Sequence, residues 1–302
     1  MNVQSSRNPR SDAGPVDAGR MGLSIEGLNV AELDAAGAER LRRAVYTNKL
    51  VVLRGLELSD DDYITLAKKL GEPQIYFQPN YHHPDHPEIF VSANVPIDGQ
   101  KVGVAGTGRY WHSDYQFFDE PLSLTMVAPR VIPSGNRGTC FIDMDAAYAA
   151  LPAKLRRFVE GTRAIHEAKW RYKIQASDID KSITEILEEF GRLTPPVKHP
   201  TVITHPVTGR RALYVSRGFT VGIEGLSHEE SRAALEELFA FVESPEHVYM
   251  QPWAKGDILL WDNRQVIHMS SGSLQGSPSI SYRIGVYDGL PFYAEKTARS
   301  AP

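Results

Sequence analysis

Cysteine is almost absent: Cys140 is the one cysteine in 302 residues. No intramolecular disulfide can form and four-thiolate zinc sites are excluded, which suits a reducing, cytoplasmic setting. Long hydrophobic runs are also lacking, since no apolar stretch approaches the ~18 residues of a membrane span. Basic clusters are missing too. The net charge is −4 and no run of lysine and arginine could track phosphates, so the sequence offers no footprint for nucleic acid. A glycine-rich phosphate loop is lacking as well, because Gly103, Gly106 and Gly108 lead into a histidine motif and not into an apolar helix. Residues 1–20 contain no apolar block and read as a disordered leader, with a single domain expected over 21–302. Nothing in the sequence sets the oligomeric state.

What is present is an ordinary globular composition, 42% hydrophobic and 23% charged, able to bury a sizeable core. Helical spacing appears over 31–45. Ser59 is placed to cap a helix through Leu70 with Gly71 as its stop, and further helices are expected near 145–160, 178–191 and 227–243. The last opens on Ser227 and Glu230, a capping-box pattern. The run Lys49–Leu56 reads as a buried strand. Shorter strands are expected at Glu88–Ser92, Ser123–Ala128, Thr139–Met144, Thr201–His205, Ala212–Ser216, Asp257–Trp261 and Ile280–Tyr287. HPVTGRRALYV reads as a hairpin. Many short strands with inserted helices, not in regular alternation, predict an α+β, mainly β fold: a double-stranded β-helix (jelly roll) core with helical insertions.

The chemistry concentrates at Trp111-His112-Ser113-Asp114. In extended backbone, residues i and i+2 share a face, so His112 and Asp114 can reach one ion together. His268, in GDILLWDNRQVIH, is the candidate third ligand. Two imidazoles and one carboxylate on one face of an octahedron leave open positions, as non-haem Fe(II) oxygenases require. Arg283, fifteen residues after His268, could neutralise a carboxylate deep in a pocket.

The motifs WHSD, GTCFIDM, GDILLWDNRQVIH and SYRIGVYDG resemble those of the taurine dioxygenase family of Fe(II)/2-oxoglutarate oxygenases, in order over roughly residues 22–290. The resemblance implies His112, Asp114 and His268 as catalytic iron ligands, Fe(II) as cofactor, and 2-oxoglutarate and O₂ as cosubstrates. It implies Thr139 as a hydrogen-bond partner of 2-oxoglutarate. Such enzymes commonly carry two arginines four residues apart; here Ser279 stands at the first position and Arg283 at the second. Arg283 is therefore expected to have taken over the 2-oxoglutarate clamp.

A narrower likeness lies in YTNKLVVL, YHHPDHPEIFVS, GRYWHSDYQFF, the segment Tyr172-Lys173-Ile174 and TPPVKHPTV. These resemble bacterial isonitrile-forming oxidase/decarboxylases, which implies a (3R)-3-[(carboxymethyl)amino] fatty acid as substrate. For its two carboxylates, Lys173 is a candidate contact if the stretch around Trp170, Tyr172 and Ile174 is a half-buried strand. Tyr76 and Tyr115 are candidate pocket residues. Arg137 is a candidate second anion contact, although a surface-loop arginine is the more ordinary reading. That pattern has a basic residue two after the lysine and a histidine four after the distal iron ligand; this chain has Gln175 and Gly272 there. His82, His83 and His86, broken by Pro84 and Pro87, read as a structural loop or pocket rim and not as a second metal site. Two other functions stay open: a hydroxylase of a small sulfonate, aryloxyacetate or amino acid, and a non-catalytic metal-binding sensor.

Overall fold

The computed structural model describes residues 2–4, 21–135, 137–271 and 277–294. Two facing sheets organise the chain. The larger has eight strands, in the order Asn2–Gln4, Leu23–Glu26, Leu50–Arg54, Ile258–Asp262, Leu124–Val131, Ile280–Tyr287 and Glu72–Gln74, with Phe90–Ala93 also pairing Ile280–Tyr287. The smaller sheet sets Gly138–Asp143 between Val248–Pro252 and Val266–Ser270. Two further units, a three-stranded sheet (Thr220–Ile223, Arg163–His166, Val197–Pro200) and the hairpin Val202–Thr204/Arg211–Leu213, extend this second layer.

The Leu50–Arg54 strand shows why Leu50–Leu53 is an unbroken apolar run. Val51 and Leu53 face one core, with Leu41, Val45, Leu66 and Leu70 of the helices Ala35–Asn48 and Asp60–Leu70. Leu50 and Val52 face the other way, into the space between the sheets, with Val127, Phe141, Leu259, Trp261 and Val266. Burial on both faces erases the alternation expected of a half-exposed strand. The Ile280–Tyr287 strand does alternate: Ile280, Tyr282, Ile284 and Val286 join the helix-side core. Arg283 and Ser281 point instead into the cavity between the layers.

Ser59 caps its helix through Asp62 N, and the Ser227–Glu230 capping box opens His228–Val242. Gly71 follows the Asp60–Leu70 helix as its C-cap, and the position admits only glycine, because a Cβ there would lie 2.1 Å from the carbonyl oxygen of Tyr287. The expected strands occur within two residues of their expected starts, and HPVTGRRALYV contains the turn and second strand of the hairpin.

Three expectations change. The helix near 145–160 is two helices, Met144–Ala150 and Ala153–Val159, because Pro152 lacks an N–H and disfavours helical backbone at Leu151. The segment around Lys173 is not a strand. Lys169–Arg171 forms a 3₁₀ turn closed by Arg171 N on Ala168 O, and Trp170 and Ile174 are 61% and 69% exposed. Within the expected leader, Asn2–Gln4 pairs antiparallel with Leu23–Glu26, because that strand's free edge offers unpaired backbone groups. Residues 1 and 5–20, and the Gly272 position, lie outside the described residues.

Candidate metal centre and its pocket

His112 and His268 are fixed first by backbone. They form an isolated antiparallel bridge, with His112 N donating to His268 O at 3.1 Å and His268 N to His112 O at 2.8 Å. This reciprocal pair places the two rings 4.2 Å apart, centroid to centroid. Asp114 follows two residues on, where the chain turns sharply. Tyr115 takes a left-handed conformation with φ of 56°, rare for a bulky residue and strained in the way that functional sites often are. The carboxylate then lies 3.8 Å (Oδ1) from His112 Nε2 and 3.7 Å (Oδ2) from His268 Nε2. All three ligand atoms are buried and lie within 4.8 Å of one another.

The donor set suits a divalent iron. His112 Nδ1 lies 2.8 Å from the Tyr110 carbonyl, which fixes that nitrogen as the donor and leaves Nε2 with its lone pair facing the cluster. Burial holds the His112 imidazole below its usual range. Burial and the neighbouring His112 ring hold His268 well below it, so both are neutral ligands near pH 7. For Asp114, burial alone would raise the pKa. The Arg283 guanidinium, both imidazoles and the Thr125 hydroxyl outweigh it and bring the carboxyl to about 2.

A hydrogen-bond chain steers that carboxylate. Thr125 Oγ1 donates to Asp114 Oδ2 at 2.6 Å, and Asn263 Nδ2 donates to Thr125 Oγ1 at 2.8 Å. Trp261 Nε1 in turn holds Asn263 Oδ1 at 3.0 Å. Ser113 Oγ donates to Asn263 O at 2.8 Å, tying the motif to the turn between the Ile258–Asp262 and Val266–Ser270 strands. On the other side, Arg283 Nη1 donates to Asp114 Oδ1 at 2.5 Å, with its guanidinium 4.2 Å from the Phe90 ring centroid.

All nine residues singled out in the sequence line one cavity: His112, Asp114, His268, Thr139, Arg283, Tyr76, Tyr115, Lys173 and Arg137. Tyr76 and Tyr115 stack at 5.8 Å to form a wall beside Arg283. Thr139 Oγ1 accepts from Trp253 Nε1 at 3.0 Å, and the Arg137 guanidinium lies 4.9 Å from the same indole ring. Arg137 is buried and donates to the Ser271 carbonyl, so it is part of the wall and not an arginine on an exposed loop. Lys173 stays at the cavity although its segment is no strand: Nζ donates to the Ala105 carbonyl, and burial lowers its pKa. Ser279 does not line the cavity; its amide is engaged by Asn94.

Sequence reasoning overlooked Arg171, a further cation of the wall, stacked 4.5 Å from the Tyr110 ring and bonded to Gly218 O. It also overlooked Thr125 and Asn263. Asn263 sits inside a recognised motif but reads there as a turn residue.

Two imidazoles and a carboxylate converging in a pocket between facing sheets define a mononuclear non-haem iron oxygenase. Residues 13–279 match the family described as Taurine catabolism dioxygenase TauD, TfdA family, and the chain belongs to it. It is 32% identical over 255 residues to the alpha-ketoglutarate-dependent 2,4-dichlorophenoxyacetate dioxygenase of Cupriavidus pinatubonensis, covering 81% of this chain and 86% of that one. It is 29% identical over 284 residues to the alpha-ketoglutarate-dependent sulfate ester dioxygenase of Pseudomonas putida, covering 93% and 90%. A taurine dioxygenase structure from Burkholderia xenovorans matches with a TM-score of 0.72 at 25% identity, covering 91% of this chain and 88% of that one. The protein is a non-haem Fe(II)/2-oxoglutarate-dependent dioxygenase of jelly-roll fold, with O₂ as its second cosubstrate. Among the described residues no helix is long and apolar enough to cross a membrane.

Proposed function

We propose that this dioxygenase oxidises a small organic carboxylate, with the iron held by His112, Asp114 and His268 in a single domain built on a double-stranded β-helix core. The observation that carries this reading is the charge of the cavity wall. Arg137, Arg171, Lys173 and Arg283 line it, and Asp114 is the only acid among the described lining residues. A divalent iron adds to that excess of positive charge. 2-Oxoglutarate, a dianion, offsets part of it, and an anionic substrate offsets more.

The cations fall into separate groups, which supports a division of labour. Arg137, just before the Gly138–Asp143 strand, and Thr139, at its start, share Trp253, so they suit the far carboxylate of 2-oxoglutarate. Arg283, walled by Tyr76, Tyr115 and Phe90, suits the substrate. This differs from the clamp expected of Arg283 from sequence, and the neighbourhood of Thr139 is the reason. Lys173 and Arg171, on the loop at the rim, suit a second carboxylate.

Two acidic groups on one substrate agree with the finer reading, oxidative decarboxylation of a (3R)-3-[(carboxymethyl)amino] fatty acid to a 3-isocyano fatty acid. The exposed Trp170 and Ile174 beside Lys173 offer apolar surface for an alkyl tail. The bound iron with its cosubstrates supplies the oxidant, while the protein's residues bind, orient and exclude water. A second reading, hydroxylation of an aryloxyacetate or a sulfur oxyanion, is favoured by what the two relatives are named for. Succinate counted against product in a substrate panel separates them. Two equivalents per product support the isonitrile reading, one per product supports hydroxylation, and no 2-oxoglutarate consumption with any anion would leave the sensor alternative. A cytoplasmic location accompanies this proposal.

A further inference from the structure

Away from the pocket, a second group of metal-ligating side chains converges. Asp60 opens the Asp60–Leu70 helix, while His83 and His86 sit on the loop that leads into the Phe90–Ala93 strand. Their ligand atoms all lie within 4.8 Å of one another, as do those of the iron cluster. His83 Nε2 is 3.7 Å from Asp60 Oδ2, the separation found between His268 and Asp114, and His86 Nδ1 is 4.0 Å from Asp61 Oδ1.

The loop is braced before any ion arrives. His83 N donates to Ile89 O and Ile89 N to His86 O, both at 2.9 Å, which holds the two rings 5.4 Å apart. The Asp85 amide donates to His83 Nδ1 at 3.3 Å, so in the neutral ring Nε2 carries the proton that faces Asp60; an ion at Nε2 would move that proton to Nδ1 and replace this contact. Arg130 binds only the far oxygen, Asp60 Oδ1, at 2.7 Å, so it orients the carboxylate and leaves Oδ2 free. Acids in the first turn of a helix are ordinary, since they offset the exposed N–H groups, and Asp62 paired with Ser59 is explained that way. That account does not explain two histidines meeting Asp60 from a separate loop.

We propose that Asp60, with His83 and His86, whose loop was expected from sequence to be structural, forms a second metal site, for zinc(II). Two imidazoles and one carboxylate suit a divalent ion of borderline softness, with water completing its coordination. With metal–ligand bonds of about 2.0–2.1 Å, tetrahedral ligands stand about 3.4 Å apart, so the Asp60–His83 pair at 3.7 Å is near that spacing and the pairs to His86, within 4.8 Å, close by side-chain rotation. The ion would tie the 82–87 loop to the neighbouring helix and so steady Phe90, which backs Arg283.

The test is zinc(II) stoichiometry of the chelator-stripped full-length protein. The wild type is expected to bind two equivalents, and the pair Asp114→Ala/His268→Ala one. His83→Ala/His86→Ala should also bind one, with that one retained when competed against the triad variant's. A wild type that binds a single equivalent, or a His83→Ala/His86→Ala protein that still binds two, overturns the proposal. Should that double variant fail to fold by circular dichroism, His86→Gln takes its place. Its second equivalent should weaken at least tenfold, and an unchanged affinity overturns the proposal equally.

Discussion

Replacing Thr125 by valine keeps the side chain's outline but removes the hydroxyl that donates to Asp114 Oδ2 at 2.6 Å. A hydrogen bond to a charged carboxylate contributes about 1.5–3 kcal/mol. The same change strands Asn263 Nδ2, whose acceptor at 2.8 Å is that hydroxyl, and a buried orphan donor costs about 1–3 kcal/mol. The second loss falls on the protein with or without metal, so it lowers stability and largely cancels from metal affinity. The first loss bears on the ligand itself. Partners that orient a metal-binding carboxylate typically carry about 10–100-fold in affinity, in line with the 1.5–3 kcal/mol above. Thr125→Val should therefore bind Mn(II), titrated by the electron paramagnetic resonance of the free ion, about 10–100-fold more weakly. Asn263→Ala should act in the same direction, and the two together should fall short of the product of their separate effects, because both reach the metal through one oxygen. A folded Thr125→Val protein with affinity within twofold of wild type would refute the argument that this chain steers Asp114.

Alanine at His112, Asp114 or His268 should each drop succinate formation at least a hundredfold, while the thermal midpoint measured without metal stays close to wild type for the histidine variants. Asp114→Ala should lower that midpoint, because it leaves Arg283 buried without its carboxylate partner. The two arginines should separate kinetically: Arg137→Gln should raise the KM for 2-oxoglutarate about tenfold or more, and Arg283→Gln the KM for the substrate, since each removes one charge-assisted contact. Burial keeps His166 and His199 neutral in the folded chain, His166 well below its usual range. Unfolded histidines take up protons below about pH 6.5 and these do not, so the unfolded state binds more protons there. Their contribution is complete above about pH 6.5 and is lost as the pH falls. Urea midpoints should drop from pH 7.5 to 5.5, and by less in His199→Gln.

The helix capped by Ser59 and the one opened by Ser227 and Glu230 were legible because caps and spacing are local, lying within a few residues of one another. Lys49–Leu56 was legible because burial on both faces leaves Leu50–Leu53 without a polar residue. The strands Arg163–His166, Thr220–Ile223 and Val248–Pro252 are four or five residues of mixed polarity, and each exists only because a distant partner supplies its hydrogen bonds. Of the site, the ligands could be read because His112 and Asp114 are two residues apart and His268 sits in a dense motif. The residues that hold them could not. Asn263 touches Thr125 and Asp114 across 138 and 149 residues, and nothing local to WDNR signals it. Lys173 was found for the wrong local reason, since the fold brings it to the cavity on a loop held by Arg171 and Ala105.

The mutual amide–carbonyl pair between positions 112 and 268 ties the histidine motif directly to the Val266–Ser270 strand. A residue anchored on a loop can swing out while the rest of the molecule stays folded; these two cannot separate without breaking a paired rung. Their amide protons should therefore exchange with deuterium as slowly as those of the innermost strands.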